Sequence, residues 1–167
     1  MARLTSRIGL TTTTMRSVYD AIAYVAALFS SAAVAALSGT TAQTSAYIDT
    51  KGYNSAMLVG HADAATGSPS AATAVFTLTE SDASGSGFAA ANDNTGTQIG
   101  FTLTNTSAAA DGAARIEGLG DLNRKRYLKV VITPAFTGGT SPATNAIAYI
   151  LLGRAYELPA NTAVSNT

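Results

Sequence analysis

Few side chains in this sequence could carry out catalysis, and their spacing does not form a catalytic pattern. His61 is the only histidine, and it follows a strand-like run. A hydrolytic triad needs a nucleophile and an acid beside an imidazole. Serine and aspartate are frequent, but no spacing singles out either one as the partner of His61. We therefore predict that His61 is a strand-end residue without a catalytic role.

The acidic and glycine-rich segments also lack the patterns of known sites. Glu80 and Asp82 could begin a calcium loop, but the DxDxDG pattern is missing, so we interpret them as part of a solvated turn. The segment 85–87, GSG, has no lysine or helical stretch after it, which argues against a phosphate loop. Cysteine is absent, which excludes disulfides and thiolate metal sites. The sequence predicts no enzyme, no metal site and no cofactor.

The basic cluster Arg124, Lys125 and Arg126 precedes the clearest strand pattern, at 127–133. Apolar and polar residues alternate there with a period of two, as in a strand with one buried face. Pro134 has no N–H group to donate, so we predict that it ends the strand. The net charge of the chain is zero, so we predict that the cluster is a solvated strand entry or an ion pair between subunits. Nucleic acid is not an expected partner.

The same alternation recurs along the chain between clusters of turn residues. It predicts strands at 46–49, 55–61, 74–80, 88–91, 98–104, 113–119, 127–133 and 145–153. Segment 145–153 is apolar on both faces, which predicts a central or doubly covered strand. This pattern predicts an all-β fold, a single β-sandwich of jelly-roll type. Its predicted core includes Ile99, Phe101, Leu103, Leu128, Val130 and Ile132.

The composition favours association with copies or partners. Hydrophobic residues make up 47% of the chain and charged residues 12%, against roughly 25% charged in ordinary soluble domains. A net charge of zero also favours association.

Four segments resemble a group of small structural proteins of tailed-bacteriophage virions. They are GYNSA at 52–56, ESD at 80–82 followed by Phe88, KRYLKVV at 125–131, and Gly153-Arg154 followed by Pro159. The resemblance covers about residues 16–160, and it departs from the group in the alanine-rich segment 26–36 and a longer loop at 105–113. It implies a virion protein, and we expect a capsid decoration protein that cements neighbouring subunits.

The N-terminal region allows three interpretations. Residues 18–38 could belong to a secretory signal, although Asp20 interrupts it, or to a transmembrane helix near the lower length limit of about 17 residues. They could instead form an arm followed by a first strand at 32–37. The segment VYDAIA at 18–23 resembles the lead-in of the virion proteins, so we favour the arm. The basic segment 1–17 is then either flexible or ordered on a neighbouring subunit.

We therefore predict an arm (1–30), a β-sandwich domain (31–158) and a tail (159–167). The expected partners are the major capsid protein and further copies of the chain, with a trimer expected first because icosahedral shells have local threefold positions. The expected location is the capsid surface, with no membrane. The alternative is a tail or fibre domain that binds a host glycan. The candidate partner-binding residues are Arg3, Arg7, Arg16, Tyr19, Tyr24, Phe29, Arg124, Lys125 and Arg126.

Overall fold

The computed structural model describes residues 22–27, 37–117 and 124–155. These residues form strands joined by turns and loops, and they contain no helix that could cross a membrane. The strands are β1 (Ile22–Ala27), β2 (Leu37–Ser38), β3 (Gln43–Thr44), β4 (Ile48–Asp49), β5 (Tyr53–Ala62), β6 (Ala71–Ser81), β7 (Ala89–Ala90), β8 (Gly100–Thr104), β9 (Ala110–Glu117), β10 (Tyr127–Thr137), β11 (Ala143–Thr144) and β12 (Ala146–Ala155).

The strands form two main antiparallel sheets and one small ladder. One sheet has the order β1-β12-β5-β9. In the other, β3 and β4 pair with one edge of β10, β6 pairs with its other edge, and β7 and β8 pair with the far edge of β6. If the small ladder of β2 and β11 is left out, and if β3 with β4 and β7 with β8 each count as one strand, eight strands remain along the chain. Numbered from 1 to 8, they have the sheet orders 1-8-3-6 and 2-7-4-5. This is the strand order of a jelly roll, so the predicted fold class is confirmed.

The hydrophobic core lies between the two sheets, because every second residue of the long strands is apolar and faces inward. In β10, Leu128, Val130 and Ile132 are 0–1% exposed. The predicted core residues Ile99 and Leu103 are buried, and Phe101 packs against the core. The four-stranded sheet contributes Ala56, Leu58, Ala62, Ile116, Ala146, Ala148, Ile150 and Leu152.

Two glycines of the four-stranded sheet make room for aromatic rings of the other sheet. Gly60 and Gly112 lie directly opposite each other on β5 and β9. Phe76 and Phe101 stack with ring centroids 5.0 Å apart and planes 18° apart. A Cβ atom on Gly60 would lie 2.6 Å from Cε1 of Phe76, and one on Gly112 would lie 2.6 Å from Cδ2 of Phe101. The rings therefore occupy space that only glycine leaves open.

The prediction that Pro134 ends its strand is wrong. β10 continues to Thr137, and Pro134 is buried opposite Ala74 of β6. On the other side of β10, β3 pairs only with Val131 and Ile132. Beyond them β10 is an edge in the described residues, and proline is tolerated at an edge because no ladder bond needs its N–H group.

Part of the predicted arm belongs to a sheet. β1 pairs with β12, with Val25 opposite Leu151 and Ala27 opposite Tyr149. β12 therefore lies between β1 and β5, in agreement with the prediction of a central strand. Of the predicted strand at 32–37, only Leu37 is among the described residues, in β2. The rest of the predicted arm and the tail at 159–167 lie outside the described residues.

Candidate partner-binding surfaces

Segments that are far apart in the chain meet at one end of the sandwich. The turn between β4 and β5, the end of β6, the start of β10 and the end of β12 all lie there, because Tyr127 is opposite both Asp49 and Ser81, and Tyr53 is opposite Ala155. We call this the basic end, after the side chains of Lys51, Arg124, Lys125, Arg126 and Lys129. All four segments that carry the resemblance to virion proteins include residues at this end.

Arg124 forms an ion pair inside the molecule at the basic end. Its Nη1 atom lies 3.5 Å from Oε2 of Glu80, and both side chains are only 10% exposed. The backbone N–H group of Lys125 also donates to Oε2 of Glu80, at 3.4 Å. The expectation that Glu80 belongs to a solvated turn is therefore wrong, because Arg124 and Lys125, just before β10, cover its carboxylate. Asp82, two residues after Glu80, is exposed as expected.

A second ion pair at the basic end faces solvent. Arg126 donates from Nε and Nη2 to the two carboxylate oxygens of Asp49, at 2.8 Å and 2.6 Å. These hydrogen bonds lower the pKa of Asp49. The Arg126 guanidinium also lies 5.0 Å from the ring centroid of Tyr127. Tyr47 meets that ring edge to face, with centroids 5.4 Å apart, and is 49% exposed. The result is a pre-oriented surface of two rings and an ion pair.

Lys129 and Phe88 extend this surface along the outer side of the six-stranded sheet. Nζ of Lys129 lies 4.1 Å from the ring centroid of Phe88, which is within the range of a cation–π contact. Phe88 lies just before β7, at the end of the β6–β7 turn, and the side chain of Lys129 on β10 reaches its ring there. Arginine and tyrosine are enriched where proteins bind one another, whereas lysine is depleted. The basic end therefore matches an interface at Arg126, Tyr47 and Tyr127 and departs from one at its three lysines.

The opposite end of the sandwich carries His61 between two carboxylates. Nδ1 of His61 lies 2.6 Å from Oδ1 of Asp111, and Nε2 lies 3.1 Å from Oδ1 of Asp63. Asn145 donates from Nδ2 to the other oxygen of Asp63, at 3.2 Å. β5 and β9 place His61 directly opposite Asp111 in register. Sequence reasoning missed this cluster, since only the His-x-Asp spacing of His61 and Asp63 is visible locally.

The geometry of the cluster favours a protonated His61. A neutral imidazole has one N–H group, whereas both ring nitrogens here face carboxylate oxygens, so both contacts are favourable only in the charged form. The hydrogen bond with Asp111, followed by that with Asp63, raises the pKa of His61. The hydrogen bond with His61 in turn lowers the pKa of Asp63. Among the described residues, no group of three or more histidine, cysteine or acidic side chains is arranged to hold a metal ion.

The loops around this end are held by one buried amide. Asn105 is fully buried, and its Nδ2 atom donates to the carbonyl oxygen of Asp63 at 2.7 Å and to Oγ1 of Thr144 at 2.8 Å. The backbone N–H group of Ala65 donates to the carbonyl oxygen of Asn105. These bonds fix the loops after β5, β8 and β10 against one another, and they position Asp63 beside His61.

The outer face of the four-stranded sheet is apolar where β5 and β12 lie side by side. Met57 and Val59 of β5 lie opposite Leu151 and Tyr149 of β12, and Ile147 lies opposite His61. Met57 is 36% exposed, and the other apolar side chains are partly exposed. We call Met57, Val59, Ile147, Tyr149 and Leu151 the outer apolar patch. Contiguous apolar surface of this kind often marks an interaction site.

The predicted partner-binding residues are only partly among the described residues. Arg124 and Arg126 lie at the basic end in the ion pairs given above, and Lys125 lies between them. Tyr24 is in β1, opposite Leu152. The remaining candidates lie outside the described residues: Arg3, Arg7, Arg16, Tyr19 and Phe29.

Comparisons with known proteins do not assign a family. No protein-family model matches the chain. No curated protein matches it either. A crystal structure of a protein from Bacteroides thetaiotaomicron VPI-5482, proposed to bind sugar, is similar with a TM-score of 0.34 and 7% identity over 78% of this chain and 87% of that chain. A likeness this weak carries no argument about function.

Proposed function

We propose that this chain is a structural protein of a tailed-bacteriophage particle. It acts as a capsid decoration protein that binds between major capsid subunits at the head surface, as a homo-oligomer. The protein stabilises the shell by bridging neighbouring subunits and performs no catalysis. Its partners are the major capsid protein and further copies of itself.

The observation that carries the proposal is the convergence of the virion-like segments at the basic end. Tyr53 begins β5, Glu80 is the penultimate residue of β6, and Arg126 directly precedes β10, yet these residues lie at the same end of the sandwich. Segments that resembled another family by chance would have no reason to share one end of the fold. The jelly roll adds support by analogy, because viral capsid domains use this architecture, although a fold alone does not define a function.

The proposal is tested by adding purified protein to phage particles that lack it and counting bound copies by quantitative mass spectrometry. We expect saturable binding and heads that resist heat better than undecorated heads. Arg126→Ala should lower the number of bound copies. Thr104→Ala serves as the control, because Thr104 is exposed and ends β8 at the other end of the sandwich from the basic end. Failure of the unaltered protein to bind any head preparation, together with its absence from purified particles, would contradict the proposed function.

One observation favours a second candidate, the binding of a host-surface glycan. The Tyr47 ring is 49% exposed and lies beside the Asp49–Arg126 pair, so a flat apolar ring stands next to fixed polar groups. Such a combination suits small polar ligands with an apolar face, and lectin domains also use jelly rolls. A glycan array probed with the protein and with Tyr47→Ala tests this candidate. Binding that Tyr47→Ala abolishes would support it, and no binding to any glycan would remove it.

A further inference from the structure

The outer apolar patch is our candidate for a contact between copies of the chain. Three pairs of facing residues align on β5 and β12: Val59 with Tyr149, Met57 with Leu151, and His61 with Ile147. At strand spacings of about 4.8 Å and same-face residue spacings of about 6.8 Å, three such rows across these two strands cover about 200 Å². Contiguous apolar side chains on an exposed sheet face are candidates for an interaction site.

We propose that the outer apolar patch binds residues 1–21 of a neighbouring copy of this chain. This inference deepens the proposed function, because it describes how the homo-oligomer forms. The segment has the chemistry that the patch requires. It contains apolar residues at Leu4, Ile8, Leu10, Met15 and Val18, and it has no acidic residue before Asp20.

The direction of β1 favours a neighbour over the segment's own domain. Ile22 enters the sheet opposite Gly153, and β1 then runs antiparallel to β12 towards Tyr149. The point at which residues 1–21 join the sheet therefore lies at the Gly153 end, beyond the Met57–Leu151 row of the patch. To return across its own patch, the segment would have to reverse just before Ile22, where residues 10–21 contain neither glycine nor proline. Extended, those twelve residues would span about 40 Å, enough to reach a neighbouring molecule.

The charges at the rim of the patch complement the segment. Asp63 and Asp111 flank His61 beside Ile147, and the Asp111 side chain is 81% exposed. Two carboxylates and one imidazolium give this end of the patch a net negative charge, whereas Arg115 of β9 lies opposite Met57 at the other end. The segment carries three arginines, Arg3, Arg7 and Arg16. Charge complementarity of this kind fixes the register and direction of a bound segment more than it adds affinity.

The experiment uses two variants, one of which removes the segment and the other of which disrupts the patch. One variant lacks residues 1–21 but keeps the patch. The other, Val59→Glu, keeps the segment but places a carboxylate in the middle of the patch. Size-exclusion chromatography with light scattering should show the unaltered protein as an oligomer and each variant alone as a monomer. Mixed together, the two variants should form a 1:1 complex, because one supplies the segment and the other supplies the patch.

A matched control is available on the other sheet. Val75 occupies the same position on the outer face of the six-stranded sheet, partly exposed in the middle of β6. Val75→Glu should therefore keep the oligomer, and circular dichroism checks that both valine variants fold. The proposal is overturned if the mixed variants form no complex, if Val59→Glu assembles like the unaltered protein, or if the unaltered protein is itself monomeric. A chain that passes this test but binds no phage heads keeps this proposal and loses only the proposed function.

Discussion

Replacing Gly60 by alanine tests the packing of the two sheets most sharply. The added Cβ would lie 2.6 Å and 2.8 Å from two ring carbons of Phe76 and 3.0 Å from Cζ of Phe101. Carbon atoms prefer separations of about 3.5–4.0 Å, so a ring would have to move by about 1 Å. Phe76 is fully buried and stacked on Phe101, so it has no open space to enter.

The expected free-energy change follows from two opposing effects. Overpacking a well-packed core costs about 1–3 kcal/mol. Alanine also has less backbone freedom than glycine in the unfolded chain, which stabilises the folded protein by about 0.4–1 kcal/mol. We therefore expect Gly60→Ala to lower the free energy of unfolding by about 1–2 kcal/mol. Since a change of 1 kcal/mol shifts Tm by about 2–4 °C in a protein of this size, Tm should fall by about 2–8 °C.

Urea denaturation followed by circular dichroism measures this change as a lower midpoint at constant m-value. Gly85→Ala is the control, because no atom lies within 4 Å of the Cβ that it would add. Combining Gly60→Ala with Phe76→Leu should cost less than the two changes added together, since the smaller side chain makes room for the methyl group. If Gly60→Ala were as stable as Gly85→Ala, the close packing of these rings against β5 would be refuted.

Three further predictions concern the core and the ion pairs. Leu128→Ala should lower the free energy of unfolding by about 2–5 kcal/mol in urea titrations, because Leu128 is fully buried; a loss below 1 kcal/mol would contradict its place in the core. Glu80→Ala should lower the free energy of unfolding by about 3 kcal/mol in the same assay, because it leaves the nearly buried Arg124 without a partner. Asp49→Ala breaks a shorter but exposed ion pair and should lower it by at most about 1 kcal/mol. The reverse order would show that the distance within an ion pair matters more than its burial. The pKa of His61 is raised in the folded protein, so its ion pairs stabilise the fold fully below the unfolded pKa of about 6.5, and this stabilisation is lost as the pH rises through the folded pKa. Thermal melts between pH 5 and 9 should show this loss of stability, and His61→Gln should abolish the pH dependence. A pH profile of His61→Gln that matches the unaltered protein would refute the prediction.

The sequence predicted the sheets well because alternation and turn residues are local signals. The strands at 55–61, 74–80 and 127–133 all occur, each slightly longer in the structure. The inward-facing residues of β10 followed from the period of two alone. The prediction that Pro134 ends the strand failed, because the sequence does not reveal that β10 has no partner on its β3 side beyond Ile132 in the described residues.

Contacts between distant segments could not be predicted from local patterns. Glu80 looks like a turn residue until β10 brings Arg124 over it. His61 looks isolated until β9 places Asp111 beside it, fifty positions later. The same limit applies to Gly60, whose role depends on which rings of the opposite sheet face it. Pairing of strands in space, which local sequence does not encode, decides all three.

Cryo-electron microscopy of purified phage particles that contain this chain tests the proposed function most directly. We expect jelly-roll density on the outer surface of the head, between major capsid subunits, with the basic end against the shell and copies grouped around local threefold positions. Density for this chain in the tail or its fibres, or its absence from the particle, would contradict the proposed function.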